Sequence, residues 1–185
     1  MENNQLKQLI DTSSRIILKV GSSLLINENN NDINYHWLKN FSKEIQSLTD
    51  KKKQIMIVSS GSVALGRKQL NLVKNLSLDE KQAAAAVGQI HLSHAWKEVL
   101  KSFNLESAQI LLAPDDTETR RKHLNARATL LKLLQLNVIP VINENDTVST
   151  DEIKFGDNDR LAARVAQMCE VCLLYTSDAA DDKQC

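Results

Sequence analysis

Short apolar runs alternate along the chain with longer stretches that have helical spacing. Four runs have the composition of buried strands: 15–20 (RIILKV), 54–59 (QIMIVS), 109–113 (QILLA) and 138–142 (VIPVI). Apolar residues recur at helical spacing in the stretches between and after them: 35–49, 62–70, 78–103, 118–136 and 157–168. Strands alternating with helices require crossover connections, which place helices on both faces of a parallel sheet. The pattern therefore predicts an α/β fold with a mainly parallel sheet.

Three details qualify this pattern. Ser77 and Glu80 have the spacing of a capping box, which predicts that a helix starts at residue 78. Gly88 lies inside that long helical stretch, and we expect it to divide the stretch into two helices. Pro140 lacks the N–H that a central strand would donate, so it disfavours a central position for the fourth strand.

Composition and charge narrow the classes of function. The chain has 185 residues and a formal net charge of zero, which argues against a nucleic-acid partner. No apolar run approaches the roughly 18–20 residues of a membrane span, and the N-terminus lacks the pattern of a signal peptide. Cys169 and Cys172 form a C-x-x-C without a second Cys or His pair, so we expect neither a zinc site nor a redox pair. We expect a cytoplasmic protein.

Two predicted strands end in loops suited to anions. Lys19 stands at the end of the first strand, ahead of Gly21 and Ser22, and the second strand runs into Ser60 and Gly61. Ligands of such sheets bind beyond the carboxyl ends of the strands. Glycine lets backbone N–H groups approach an anion closely, and a following helix start adds positive potential. Both loops therefore predict phosphate contacts, although each alone is also compatible with an ordinary turn.

The stretch 142–164 (INENDTVSTDEIKFGDNDRLAAR) is dense in Asp, Glu and Asn, yet it lies between a predicted strand and a predicted helix. Its oxygens suit Mg²⁺, and its carboxylates equally suit a substrate ammonium group. Asp157 at the start of a helix is explained by capping alone. Asn143 and Asp146, attached directly to a strand end, are not explained by capping.

Six motifs, in order, identify a resemblance that covers residues 14–171: LKVGSSLL, VSSGSVALGR, AAAAVGQ, LNARATL, VIPVINENDTV and EIKFGDND. Together they resemble the amino-acid kinase family and, within it, the branch of glutamate kinases. The resemblance implies a three-layer α/β/α sandwich. It also implies phosphorylation of the γ-carboxylate of L-glutamate by MgATP. The product, γ-glutamyl phosphate, is the first intermediate of proline biosynthesis.

The same resemblance implies roles for particular residues. The catalytic residues are Lys19, which contacts the ATP phosphates, and Asp159, which orients lysine. Glutamate is bound by Ser60, Asn143, Asp146 and Asn158. ATP and its phosphates are bound by Lys19, Gly21, Ser22 and Gly61. Asp157 occupies a matching position and is a weaker candidate. We expect no metal-binding residue in the chain, because Mg²⁺ arrives with ATP.

The resemblance also has implications for the partners of the protein and for how much of a kinase domain the chain contains. It implies a homo-oligomer at full length and proline as a feedback inhibitor, with neither nucleic acid nor membrane as a partner. Kinase domains of the family are longer, and many members add a C-terminal PUA domain. We expect residues 1–171 to be the N-terminal, glutamate-binding part of the domain. Residues 172–185 resemble a translated sequencing adapter, which predicts a non-native tail. Such a fragment should fold poorly and turn over little.

Two alternatives stay open at this point. The first is another member of the family, with acetylglutamate, aspartate or carbamate as substrate. The INEND and FGDND motifs argue against this reading. The second is a fragment that binds glutamate or proline without catalysis.

Overall fold

The computed structural model describes residues 2–27, 30, 32–73, 75–148 and 158–177, with side chains from Lys7 onward. The strands are β1 Arg15–Val20, β2 Ile26–Asn27, β3 Asp32–Ile33, β4 Gln54–Ser59, β5 Glu106–Leu112, β6 Val138–Glu144 and β7 Leu173–Ser177. The helices are α1 Glu2–Thr12, α2 Ser22–Leu25, α3 Tyr35–Asp50, α4 Ser62–Gln69, α5 Leu78–Ser102, α6 Pro114–Glu118, α7 Arg120–Gln135 and α8 Asn158–Met168. A short 3₁₀ helix covers Asp146–Val148.

Five strands form one sheet in the order β5-β6-β4-β1-β7, and every neighbouring pair in it is parallel. The two-residue strands β2 and β3 pair separately as a small antiparallel hairpin. The chain moves from β1 to β4 through α3 and from β5 to β6 through α6 and α7, as parallel crossovers require. The predicted parallel α/β sheet is confirmed.

Two hydrophobic cores lie on opposite faces of the sheet. Successive side chains of a strand point to opposite faces. Ile16 therefore packs in the core that holds Trp96 of α5, whereas Ile17 packs in the core that holds Leu130 of α7 and Val165 of α8. Helices thus cover both faces. This arrangement confirms the three-layer sandwich and explains why the strands read as continuous apolar runs.

Helix α5 is continuous through Gly88, so the expected division into two helices is wrong. A Cβ atom at position 88 would lie 1.8 Å from the carbonyl oxygen of Ser62, and one at Gly66 would lie 1.7 Å from the carbonyl oxygen of Ala84. The two glycines let the backbones of α4 and α5 touch. In this helix, glycine serves close packing rather than a break. The capping box of Ser77 and Glu80 is confirmed.

Pro140 lies in β6, an interior strand, although its position is a favourable one. Toward β5 it stands opposite Ala108. Toward β4 the ladder pairs Ile57 with Val141 and Val58 with Ile142, and it begins only after the proline. The missing N–H therefore falls where β6 has not yet joined β4.

Besides the 3₁₀ helix, six elements were not predicted from the pattern: α1, α2, β2, β3, α6 and β7. Leu173–Ser177 pairs in parallel with β1, and it lies within the expected non-native tail 172–185. Residues 178–185 are outside the described residues, and the proposed boundary at 171 stays a prediction. None of the helices the structure describes is long and apolar enough to cross a membrane.

Candidate functional site

The carboxyl ends of three adjacent strands, β6, β4 and β1, meet at one edge of the sheet. The backbone N–H of Ser60, just after β4, donates to the carbonyl oxygen of Val20 at the end of β1 at 3.1 Å. The N–H of Gly21 donates in the same way to Ser177 at the end of β7, also at 3.1 Å. The first bond holds the two predicted anion loops side by side, and the second joins the loop at Gly21 to the end of β7.

Gly61 begins α4 in a left-handed conformation, with φ of 113°. An L side chain rarely adopts this conformation, and glycine does so without steric cost. A Cβ atom there would also lie 3.3 Å from Cγ1 of Ile26. The glycine therefore permits the sharp turn from β4 into α4 that brings Ser60 and Ser62 to the edge of the sheet.

Asn143 and Asn158 face each other at the centre of this edge. Both are buried, and the Asn158 Nδ2 group lies 3.2 Å from Oδ1 of Asn143. The same Nδ2 donates to Oγ of Ser60 at 2.6 Å and to the carbonyl oxygen of Ser59 at 3.1 Å. The start of α8 is thereby joined to the ends of β4 and β6. Asn143 and Asn158, from separate parts of the stretch 142–164, thus come into contact here.

Backbone groups determine which way these two amides point. The N–H of Glu144 can only donate, so the Asn143 atom 2.9 Å from it must be the oxygen Oδ1. The carbonyl of Ser59 can only accept, so the Asn158 atom beside it must be Nδ2. Nδ2 of Asn143 is then left to donate on its other side, to Oε1 of Gln89 at 2.8 Å.

Asp146 joins the same cluster through Ser62. The Ser62 Oγ donates to Oδ2 of Asp146 at 3.1 Å, and it lies 3.4 Å from Nδ2 of Asn143. Burial raises the pKa of the Asp146 carboxyl, and the hydrogen bond from Ser62 partly offsets this increase. A partly buried carboxylate gains most from a cationic partner. Asp146 is therefore suited to bind an ammonium group.

Lys19 and Asp159 form an ion pair next to this cluster, with 2.8 Å between Nζ and Oδ1. The lysine side chain is 7% exposed, whereas that of the aspartate is 45% exposed. A buried ammonium group is costly without a partner, and Asp159 supplies one. Asp159 directly follows Asn158 on α8, so one helix start contacts both the amide pair and the lysine.

Glu144 is the last residue of β6, and its side chain is half-buried. Burial and the nearby Asp146 carboxylate raise the pKa of Glu144 to about 7, although Arg164 and Arg160 of α8 act in the opposite direction. Glu144 stands opposite Leu112 in the sheet register. A carboxyl group that changes charge near neutral pH thus adjoins the proposed substrate site.

The structure brings together most of the residues singled out from the sequence. Six of them lie together at the edge of the sheet. Ser60, Asn143, Asp146 and Asn158 are connected by hydrogen bonds, and Asp159, the chain neighbour of Asn158, pairs with Lys19. Gly21 lies just after β1 and Ser22 is the first residue of α2. The exposed Ser22 side chain has no hydrogen bond to this group among the described residues. Asp157 lies outside the described residues.

Four residues of the site were not selected from the sequence: Ser59, Ser62, Gln89 and Glu144. Ser59 accepts from Nε1 of Trp96 at 2.9 Å as well as contacting Asn158 through its carbonyl. Gln89 and Glu144 stand within the AAAAVGQ and INEND motifs, so their positions were marked but their contacts were not. Among the described residues, no group of three or more His, Cys, Asp and Glu could hold a metal ion.

The sequence of the chain is similar to known proteins of one family. The profile of the Amino acid kinase family matches residues 14–180. A glutamate 5-kinase of Paramagnetospirillum magneticum is 49% identical over 179 residues, which cover 92% of this chain and 48% of that protein. One from Gluconobacter oxydans is 49% identical over 178 residues, covering 91% and 47%. One from Rhodopseudomonas palustris (strain BisB5) is 53% identical over 161 residues, covering 86% and 43%. The chain spans about half the length of these curated relatives.

Proposed function

Because the chain belongs to the amino acid kinase family, we propose that it carries the glutamate side of an enzyme that phosphorylates L-glutamate. ATP donates the phosphoryl group to the γ-carboxylate, and the products are γ-glutamyl phosphate and ADP. The observation that carries the proposal is the group of buried amides and carboxylates around Asn143 and Asn158, directly beside the Lys19–Asp159 pair. The names of the relatives, glutamate 5-kinases, support the same substrate.

The reaction brings two anions together, so the protein must supply positive charge and orientation. Catalysis of phosphoryl transfer rests on positioning and on electrostatic stabilisation of the transferring group. We assign Lys19 to the ATP phosphates and Asp159 to orienting its ammonium group, which lies 2.8 Å away. Gly21, Ser22 and Gly61 offer loop backbone to the same phosphates. Mg²⁺ is proposed to arrive bound to ATP, where it neutralises charge on the phosphates.

The second substrate, glutamate, is proposed to be bound by the polar side chains around Asn143 and Asn158. Asp146 is proposed to bind the α-ammonium group of glutamate. Its carboxylate is partly buried, and among the described residues its hydrogen-bond donor is the neutral Ser62, at 3.1 Å. Ser60, Asn143 and Asn158 offer hydroxyl and amide groups to the carboxylates without adding charge. The cluster then holds the γ-carboxylate on the side of Lys19, where the phosphoryl group would arrive.

Further features are proposed on the resemblance alone. They are a homo-oligomeric state, proline as a feedback inhibitor, and a cytoplasmic location. The boundary between a kinase-domain part, 1–171, and a non-native tail, 172–185, is also a proposal. Sequencing of the locus tests the boundary: an open frame continuing beyond the kinase motifs supports it, and a native stop after Cys185 contradicts it.

Hydroxylamine trapping of the acyl phosphate tests the reaction. Protein expressed from its complete reading frame should form γ-glutamyl hydroxamate when given glutamate and MgATP. It should form little with acetylglutamate, aspartate or carbamate. Equal product from a second acceptor would assign the chain to another activity of the family. Calorimetry on the 185-residue chain distinguishes the remaining alternative, because glutamate binding without ATP binding indicates a binding fragment.

A further inference from the structure

Gln89 is brought to the proposed substrate site by the unusual closeness of two helices. Gly66 and Gly88 let the backbones of α4 and α5 touch, since a Cβ atom at either would lie under 2 Å from a carbonyl oxygen of the facing helix. Gln89 immediately follows Gly88 on α5. The side chain of Gln89 therefore reaches the end of β6 from α5, a helix whose position is fixed by its backbone contact with α4.

Gln89 supplies the closer of the two acceptors available to the Asn143 amide. Its Oε1 is 2.8 Å from Nδ2 of Asn143, compared with 3.4 Å for Oγ of Ser62. The Ser62 hydroxyl is also engaged as a donor to Asp146. Without Gln89, the buried amide would keep one long contact on this side, and a buried donor that lacks a good partner is strongly disfavoured.

Loss of that acceptor would affect more than one bond. Asn143 uses Oδ1 to accept from the backbone of Glu144 and from Asn158. These contacts hold only while its Nδ2 points the other way, toward Gln89. A rotation of the amide would set Nδ2 against the Glu144 N–H, which cannot accept. The acceptor on Gln89 thus maintains the orientation on which the link between β6 and α8 depends.

We propose that Gln89 is a positioning residue for the substrate: it holds the Asn143 amide in one orientation and, through Asn143, keeps Asn158 and Ser62 arranged around the bound glutamate. This inference rests on the proposed function, because it concerns the same site. Gln89 acts through Asn143 and needs no contact of its own with the reacting groups.

Two substitutions separate positioning from packing. Gln89→Met has nearly the same volume but only a weak acceptor, its thioether sulfur, whereas Gln89→Glu keeps an acceptor oxygen and adds a charge. With protein from the complete reading frame, Gln89→Met should raise the KM for glutamate about tenfold or more and change the KM for ATP less than twofold. The separate variant Gln89→Glu should have a glutamate KM within about threefold of the wild-type value. Gln135→Met, at the exposed end of α7, is the matched control and should have wild-type constants.

A role in packing alone predicts the opposite order, since methionine fills the space and glutamate buries a charge. A Gln89→Met enzyme with a wild-type glutamate KM, or with both KM values raised equally, contradicts the inference. Inactive wild-type protein contradicts the proposed function instead. In that case NMR of the Asn143 side-chain amide still decides the inference: its protons should exchange slowly in wild type and faster in Gln89→Met. Equal exchange in the two proteins would overturn it.

Discussion

Asp146 combines partial burial, a hydrogen bond from the neutral Ser62 hydroxyl and a raised pKa, and the proposed ammonium contact depends on its charge. Asp146→Asn keeps the size of the side chain and removes the charge. In protein from the complete reading frame, we expect the KM for glutamate to rise at least about tenfold, the equivalent of about 1.4 kcal/mol. The KM for ATP should change by less than twofold. Steady-state kinetics with each substrate varied in turn measures both constants.

Equal increases in both KM values would contradict the assignment of Asp146 to glutamate. Asp115→Asn provides the control, because Asp115 is an exposed carboxylate of α6 that pairs with Lys122. Its substitution should leave both constants within twofold of wild type.

Glu144 makes stability depend on pH near neutrality. Its pKa is raised to about 7 in the folded protein, from 4.5, mainly by burial. The folded state therefore holds a proton that the unfolded state has released. The contribution of this group to the free energy of unfolding is fully present below about pH 4.5 and is lost as pH rises through about 7. The side chain is half-exposed, so the full shift overstates the effect, and we expect a loss of about 1 kcal/mol.

Glu144→Gln should remove this loss. Urea unfolding measures the free energy of unfolding of both proteins between pH 4 and pH 8. Relative to wild type, that of the variant should increase by about 1 kcal/mol from pH 4 to pH 8. Glu106→Gln, at the exposed start of β5, is the control for a general effect of removing a carboxyl group. If the free energy of unfolding depends on pH in the same way in wild type and in Glu144→Gln, the pKa of Glu144 is not raised by folding.

At the scale of elements, α4 and α5 pack with their backbones in contact at Gly66 and Gly88. Gly88→Ala improves helix propensity by about 1 kcal/mol, yet it sets a Cβ atom 1.8 Å from the Ser62 carbonyl oxygen. The helices must separate, so we expect a net loss of about 2 kcal/mol or more. Urea unfolding monitored by circular dichroism gives the value.

Ala86→Gly serves as the reference, because position 86 is exposed on the same helix. It should cost only about 1 kcal/mol, from helix propensity alone. A Gly88→Ala protein as stable as wild type would mean that the two helices separate without loss. The close approach would then have no role in stability.

Most elements were predictable because their signals are local. Apolar runs located β1, β4, β5 and β6 to within a few residues, and helical spacing located α3 and α8. The misinterpretation of Gly88 has a physical origin. A glycine within a helix favours a break by propensity but permits close packing by its size, and only the facing helix decides which property matters.

At the scale of the whole molecule, β7 forms one edge of the five-stranded sheet and pairs with β1. Leu173 and Leu174 pack against opposite cores, and the strand pairs with β1 from Ile16 to Val20. A chain ending at residue 171 should therefore be less stable than one ending at residue 177. We expect a difference of about 2–3 kcal/mol from the two leucines, which are partly buried. Urea midpoints of the two chains measure it.

Equal midpoints for the two chains would mean that β7 adds nothing to the fold. That outcome would favour the prediction that residues 172–185 are a non-native tail. A large difference would show that the strand contributes to stability whatever its origin, and sequencing of the locus would still be needed to establish where the native chain ends.

The sequence by itself determined the order of strands and helices, the parallel sheet and the family, because hydrophobic periodicity and short motifs are properties of neighbouring residues. It also marked the two ends of the acidic stretch. Only the tertiary structure decided that Asn158 contacts Asn143, that Gln89 accepts a hydrogen bond from the Asn143 amide, and that burial raises the pKa of Glu144 to about 7. These features depend on burial and on contacts between residues far apart in sequence, which the sheet register and the close packing of α4 on α5 create.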